Sequence, residues 1–197
     1  MRLISRFTLI AAVICLPFIT SLNSARAEDW PTWRQDRMRT GVTGEKLSPP
    51  LEQVWKFQSR QARLAPKPDH SPTRIRYPWV TWYTLPISAA GDSLVFNRAI
   101  AGRTVCLDAA SGEKRWEFTA GAAFNRTPTF WQGKIYVGSD DGHAYCLDAK
   151  TGAVVWKFNA APANRWMFSY GKPVSSWPVR TDVAVENGVA YFGAGVF

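Results

Sequence analysis

Side chains that could support catalysis or metal binding are few and scattered. Asp140, Asp141 and Gly142 are adjacent, and carboxylates grouped in a loop can coordinate a cation such as Ca²⁺. No further acid follows at the spacing of a calcium-binding loop, so we interpret these residues as a hairpin turn of the Asp-Gly type. His70 lies in a polar loop and His143 begins a predicted strand. We interpret both histidines as surface residues rather than as bases or ligands.

The cysteines also lack partners for chemistry. Cys15 lies in the predicted leader, so only Cys106 and Cys146 belong to the mature chain. Each begins a copy of the same repeat, and equivalent strands of neighbouring sheets are too far apart for a disulfide. No histidine lies at metal-ligand spacing from either cysteine. We therefore predict two buried free thiols that act as small apolar side chains.

The repeat that contains these cysteines determines the predicted architecture. Residues 106–118 return as residues 146–158, 40 positions later and without a gap, with Cys, Leu, Asp, Ala, Gly, Trp and Phe in place. A period of about 40 residues with strand-like segments is typical of a propeller. We predict an all-β fold, a partial β-propeller of four-stranded antiparallel blades. It comprises about two blades plus the start of a third, in an incomplete ring.

The recurring residues have predicted structural roles. The Asp ends a strand and can accept hydrogen bonds from turn amides, and the Gly supplies a positive φ in the return. The Trp brings a large apolar surface to the outer strand, where a blade meets its neighbour, and its N–H needs a partner if buried. The predicted turn and docking residues are Asp108, Gly112, Trp116, Asp148, Gly152 and Trp156.

The rest of the chain divides around the repeat. Trp30 and Trp33 are expected to pack against the body, because exposed indoles are unfavourable. The aromatic stretch 164–168 is the segment in which we expect a partner groove. The predicted segments are a signal peptide (1–27), an irregular N-terminal arm (28–50), an orphan outer strand (51–57), a loop insertion (58–78), blade 1 (79–119), blade 2 (120–159), an insert (160–177) and the start of blade 3 (178–197).

The N-terminus has the features of a secretory signal peptide. Residues 7–19 form an apolar run after two arginines, and residues 25–27 fit the small-x-small cleavage rule. The run is shorter than the ~20 residues of a membrane span, so we expect cleavage, export to the periplasm or beyond, and no membrane span afterwards. Ile14 precedes Cys15 where a bacterial lipoprotein signal has a small residue, so we expect no lipid anchor.

The charge of the chain argues against a nucleic-acid partner. The formal net charge is +9, and loss of the leader lowers it to about +6. Between residues 28 and 78, ten basic residues are interrupted by six acids and by prolines, rather than forming one continuous basic face. This pattern indicates a solvated basic edge that faces acidic polymer or lipid, and we predict protein or polysaccharide partners of the cell envelope.

The repeat resembles the tryptophan-docking repeat of pyrroloquinoline-quinone (PQQ)-type β-propellers. The pattern Cys-x-Asp-x-x-x-Gly-x-x-x-Trp occurs at 106–116 and at 146–156, with Cys where the family has Ala. A partial match surrounds Trp55, and the Trp-Pro-x-x-Arg opening at Trp30 is similar to the start of large secreted bacterial propellers. The resemblance covers about residues 51–197 and implies a BamB-like secreted bacterial propeller.

The resemblance leaves two functions open. Quinone dehydrogenases of this fold hold PQQ and Ca²⁺ with an adjacent cysteine pair, a stacking Trp and acid and amide ligands, and no such set can be assigned here. We therefore assign no catalytic, cofactor-binding or metal-binding residue, and favour an exported binding or assembly scaffold without catalysis. The alternative is a PQQ-dependent alcohol or sugar dehydrogenase whose active site lies beyond this sequence. A ring needs at least four blades, so we expect an N-terminal fragment.

Overall fold

The structure is a computed structural model that describes residues 28–58, 86–98, 102–169 and 172–195. The predicted signal peptide and most of the predicted loop insertion lie outside these residues, as does His70. The described residues form twelve strands and no helix. Accordingly, no helix in this part of the chain is long and apolar enough to cross a membrane.

The first blade is a four-stranded antiparallel meander with strands in chain order. Val95 pairs with Cys106, which in turn pairs with Trp116, so the three side chains lie on the same face of three adjacent strands. The register shifts immediately after Cys106. The strands are β1 (Ile87–Ala90), β2 (Ser93–Arg98), β3 (Arg103–Asp108) and β4 (Lys114–Thr119).

The second blade repeats this pattern. Tyr136 pairs with Cys146, which pairs with Trp156, and the register again shifts after the cysteine. The strands are β5 (Thr129–Trp131), β6 (Lys134–Gly138), β7 (His143–Asp148) and β8 (Val154–Asn159), in that order across the sheet. Two hairpins follow, β9 (Trp166–Ser169) with β10 (Lys172–Ser175) and β11 (Ala184–Glu186) with β12 (Val189–Tyr191).

The core lies between the sheets, because strand side chains alternate and each blade has two apolar faces. One interface buries Val95 and Cys106 of the first blade against Ile135 and Leu147 of the second. The opposite face of the second blade, which includes Cys146, packs against the β11–β12 hairpin. The fold prediction is confirmed. The sheets form a partial propeller of stacked four-stranded blades, and none of them closes on itself.

The other face of the first blade is covered by a segment that precedes it in the chain. Phe96, Val105 and Leu107 form this face, and Trp55 and Phe57 pack against it. The rings of Phe57 and Phe96 meet edge to face with centroids 5.5 Å apart. Residues 51–57 are not in a strand, in contrast to the outer strand expected there. Side-chain packing and a hydrogen bond of 3.0 Å from the Trp55 indole N–H to the Ala109 carbonyl hold this segment in place.

The N-terminal arm crosses the first strands of three successive units. Trp30 exchanges backbone hydrogen bonds of 2.8 Å with Ala89 of β1, and Phe130 of β5 donates its N–H to the carbonyl of Pro31 at 2.7 Å. Arg37 forms an ion pair with Glu186 of β11.

The two tryptophans of the arm differ in exposure. Trp30 is half-buried, but 44% of Trp33 is exposed, so the expectation that both would pack against the body is wrong for Trp33. The Arg34 and Arg39 guanidinium carbons instead lie 5.7 and 5.4 Å from the Trp33 ring centroid. Cation–π contact thus partly compensates the exposure of this ring.

Candidate functional site

The two aspartates of the repeat each organise a turn. The Asp108 carboxylate accepts hydrogen bonds from the N–H groups of Ala110 and Ser111, at 3.0 and 2.8 Å, and from the Arg115 guanidinium at 2.5 Å. The Ser111 amide, followed by Arg115, lowers the pKa of Asp108 to about 2. Asp148 accepts the corresponding amide bonds from the next turn, and hydrogen bonds from Thr151 lower its pKa. Both carboxylates are therefore occupied in turn structure.

The glycines of the repeat receive a tryptophan from the preceding sheet or segment. Gly152 has a φ of +72°, and a Cβ placed on it would lie 2.6 Å from the Trp116 ring. The Trp116 indole N–H donates to the Ala149 carbonyl at 3.0 Å. Gly112 has the same φ and the same relation to the Trp55 ring. An indole ring therefore lies over each of these two glycine turns.

Trp156 has a different environment from Trp116, its equivalent in the first blade. Its ring lies 5.9 Å from that of Tyr136 and packs against the β11–β12 hairpin. Its indole N–H makes no hydrogen bond to the described residues, and the ring is only half-buried. Among the described residues, Trp55 and Trp116 each pack over a glycine turn of the repeat, whereas Trp156 does not.

Both cysteines are free and buried, as predicted. Cys106 lies in the interface between the two blades, whereas Cys146 faces the third unit. Burial raises the pKa of each thiol, which disfavours the reactive thiolate. The cysteines contribute to packing and are not a candidate reactive pair.

The turn between β6 and β7 contains a buried polar network. Asp140, Asp141 and Gly142 form a turn, as predicted, but the carboxylates are nearly inaccessible, with 4% and 6% of each aspartate exposed. Arg180 binds Asp140 with two nitrogens, at 2.8 and 3.0 Å, and the Asn125 amide donates to the same carboxylate at 2.8 Å. This turn joins the linker before blade 2 to the segment after it.

Asp141 is held within the same turn. Its carboxylate accepts hydrogen bonds from the Gly121 N–H at 3.0 Å and from the Tyr145 hydroxyl at 2.5 Å. Burial, with Asp141 as a second cause, raises the pKa of Tyr145 well above its usual value. His143 Nδ1 lies 3.2 Å from Asp141, and only 23% of the histidine side chain is exposed. His143 is therefore more buried than the sequence predicted.

Sequence analysis missed the partners in this network, although the repeat contained a signal. In the other copy, Ile100 and Ala101 occupy the positions of Asp140 and Asp141. Two acids where the other copy of the sequence is apolar were the signal that residues 140 and 141 have polar partners. The identity of Arg180, 40 positions away, could not be read from the repeat.

The β6–β7 turn positions the β9–β10 hairpin. Ser175 at the end of β10 donates its N–H to the Asp140 carbonyl at 2.8 Å. A Cβ on Gly142 would lie 2.8 Å from the Ser175 hydroxyl, so only glycine allows this approach. After the hairpin, Val179 donates its N–H to the Ser139 carbonyl at 2.9 Å. The hairpin is thus tied to the second blade at its base.

The hairpin exposes two aromatic side chains on one face, although Ser175, which pairs with Trp166 on that face, is buried at the base. Met167 pairs with Val174, which is 3% exposed, and these two side chains point inward. By strand alternation Trp166, Phe168 and Pro173 point the other way. Trp166 is 48% exposed and Phe168 is 82% exposed. Aromatic side chains presented in this way are typical of protein-interaction surfaces.

The sequence around the hairpin carries positive charge only. Residues 149–181 contain five basic residues and no acid. Arg165 is exposed immediately before β9, and Lys172 begins β10. Burial lowers the pKa of Lys172, with Asp140 opposing the shift. The hairpin therefore combines exposed aromatic rings with an exposed arginine directly before β9.

The described residues do not supply the ligand set of a PQQ site. They contain no group of three or more His, Cys, Asp or Glu side chains that could hold a metal ion. The two cysteines of this part of the chain lie in different sheets and on different interfaces. An adjacent cysteine pair and a calcium site therefore do not fit the residues that the structure describes.

Comparison with known proteins identifies the family. A family model described as outer membrane protein assembly factor BamB matches residues 46–191, about three quarters of the chain. The chain belongs to this BamB family. Among curated proteins, none matches the chain.

Similar solved structures include a dehydrogenase and a BamB protein. Quinohemoprotein alcohol dehydrogenase from Comamonas testosteroni is 21% identical over 88% of this chain and 24% of its own, with a TM-score of 0.52. BamB from Moraxella catarrhalis is 19% identical over 55% of this chain and 33% of its own, with a TM-score of 0.41. The alignments span a third of these structures or less. The likeness to the Comamonas testosteroni protein shows the propeller fold alone.

Proposed function

We propose that this BamB-family chain is part of an exported binding and assembly scaffold of the cell envelope, which engages protein partners without catalysis. The observation that carries the proposal is the β9–β10 hairpin, which presents Trp166 and Phe168 to solvent from a base tied to blade 2. Aromatic side chains on a paired strand lose less conformational entropy when a partner binds than the same side chains on an unpaired segment. The buried aspartates, by contrast, are paired within the protein.

Site-specific photocross-linking in cells tests this function. A photoreactive phenylalanine analogue replaces Phe168, and the matched control carries it at Glu113, an exposed residue in the β3–β4 turn. We expect discrete adducts with envelope proteins from position 168 and none from position 113. Equal adducts at both positions, or none at either, would contradict the scaffold function. Adducts with polysaccharide would change the partner class.

Cofactor addition separates the scaffold from the quinone-dependent alternative. The purified chain and the full-length gene product are each incubated with PQQ and Ca²⁺ and then dialysed. We expect no retained chromophore and no dye reduction with alcohols or sugars. A stoichiometric quinone spectrum with substrate-dependent dye reduction would replace the scaffold by an oxidoreductase.

Export is tested on the same material. We propose that the signal peptide is removed after Ala27, so N-terminal sequencing of the protein from a periplasmic fraction should begin at Glu28. An intact N-terminus in the cytosolic fraction would show that the chain is not exported. Membrane association that resists salt but is released by detergent would point to an uncleaved anchor.

A further inference from the structure

The backbone direction of the β9–β10 hairpin can be worked out from its hydrogen bonds. Ser175 donates its N–H away from β9, to Asp140, whereas Ser176 donates its N–H to the Arg165 carbonyl on the β9 side. Consecutive N–H groups of a strand point in opposite directions, so Val174 faces β9 and its partner Met167 faces β10. The N–H and C=O groups of Trp166 and Phe168 therefore point to the free edge of β9.

The two edges of the hairpin differ. On β10, Pro173 has no N–H and the N–H of Ser175 is already bonded, so this edge offers no free donor at these positions. On β9, the N–H groups of Trp166 and Phe168 have no backbone partner among the described residues. An edge with free donors and acceptors is a template for another strand. Only the β9 edge of this hairpin has that property.

The side chains along β9 indicate which strand would fit. Trp166 and Phe168 lie on one face of the strand, and Arg165 and Met167 lie on the other. In an antiparallel pair, residues directly opposite each other place their side chains on the same face. An added strand would therefore carry apolar residues opposite Trp166 and Phe168 and an acidic residue opposite the exposed Arg165. Arg165, which is exposed directly before β9, provides the complementary charge.

We propose that the free edge of β9 binds an extended segment of a partner protein, with alternating acidic and apolar residues, as an additional antiparallel strand. Backbone hydrogen bonds to Trp166 and Phe168 hold the segment, the two rings cover its apolar side chains, and Arg165 attracts a carboxylate of the segment. The proposal rests on the scaffold function and specifies how that scaffold recognises its partner.

The probe is a fluorescein-labelled heptapeptide of alternating valine and glutamate, and binding is followed by fluorescence anisotropy. In the added strand the valine amides face β9 and the glutamate amides face away. N-methylation of the valine amides should weaken binding by roughly tenfold or more, because it removes the bridging donors. N-methylation of the glutamate amides is the matched control and should change binding by less than about twofold. High salt should weaken the unmodified peptide.

Two variants of the protein separate the backbone from the ring. Phe168→Pro removes the backbone N–H of residue 168, which points to the open edge of β9 and forms no hydrogen bond to β10. Proline is tolerated at such an edge position. Phe168→Pro should weaken binding of the unmodified peptide by roughly tenfold. Phe168→Val keeps the N–H and should weaken binding by about threefold. Thermal unfolding checks that both variants fold, and the N-methylated peptides give the same test without altering the protein.

Several results would overturn the proposal. These are no binding of the unmodified probe at millimolar concentration, equal binding of the two N-methylated peptides, and unchanged affinity of folded Phe168→Pro. If any of these occurs while position 168 still cross-links to envelope proteins, strand addition is wrong and the scaffold function stands. If position 168 gives no adducts either, the scaffold function fails as well.

Discussion

The indole ring of Trp116 in the first blade lies directly over Gly152 in the second, and this contact joins the two blades. The ring approaches so closely that a Cβ on the glycine would lie 2.6 Å from it. The indole N–H also bonds to the Ala149 carbonyl of the same turn at 3.0 Å. One side chain therefore supplies both the apolar wedge and the polar anchor between the sheets.

Replacing Gly152 by alanine tests the close approach. The variant adds a methyl group in contact with the Trp116 ring and puts alanine at a φ of +72°. We expect a loss of about 2–4 kcal/mol in the free energy of unfolding, measured by urea denaturation. Gly133→Ala is the control, since Gly133 has a φ of +71° but no atom near the added Cβ. It should lose only about 1–2 kcal/mol. Equal losses would show that the ring contact contributes nothing.

Replacing Trp116 by phenylalanine tests the polar anchor. The substitution keeps most of the apolar ring area but leaves the Ala149 carbonyl without its donor. We expect a loss of about 1–2 kcal/mol in unfolding free energy. Trp156→Phe serves as the comparison, because the Trp156 N–H has no partner among the described residues, and should cost less than about 0.5 kcal/mol. A larger effect at Trp156 than at Trp116 would contradict the docking geometry.

The sequence predicted what is local and periodic in this fold. The turn at Asp108, the positive φ of Gly112 and the burial of both cysteines follow from spacings within one repeat, so the pattern contains them. The contact between Asp140 and Arg180, in contrast, could not be predicted from the repeat. Arg180 lies outside the repeat, and its contact depends on how the segment after the second blade returns, which no periodic pattern specifies.

The arm and the hairpin were predictable only in part. The sequence marked both as irregular and aromatic, but the pairing of Trp30 with Ala89 joins residues far apart in the chain. The solvent exposure of individual side chains could not be predicted either. Trp33 and Phe168 lie in segments outside the repeat, and the residues around them do not show that both side chains are exposed. Tertiary packing decides that question.

Removing Arg180 should destabilise the hairpin more than the blades. Arg180→Met leaves the buried Asp140 carboxylate without its bidentate partner, and we expect a loss of about 2–4 kcal/mol in unfolding free energy. Asp140 also accepts the Ser175 N–H through its carbonyl, so amide exchange at Ser175 should accelerate. The double variant Asp140→Asn/Arg180→Met should recover part of the stability, because no unpaired charge is then buried. If the double variant is no more stable than Arg180→Met, the loss in unfolding free energy comes from packing and not from the unpaired charge.

Acid should weaken the turn of the first repeat in a defined pH range. The folded pKa of Asp108 is lowered from 3.8 to about 2, mainly by the Ser111 amide and Arg115. A lowered folded pKa contributes stability that is complete above the unfolded pKa and is lost as the pH falls from about 4 to about 2. The wild type should therefore lose more stability than Asp108→Asn across this range, in urea unfolding at pH 7, 4 and 2.5. Glu113→Gln, which removes another carboxylate from the same turn, is the control and should follow the wild type. Parallel losses for wild type and Asp108→Asn would show that the Asp108 carboxylate does not stabilise the turn.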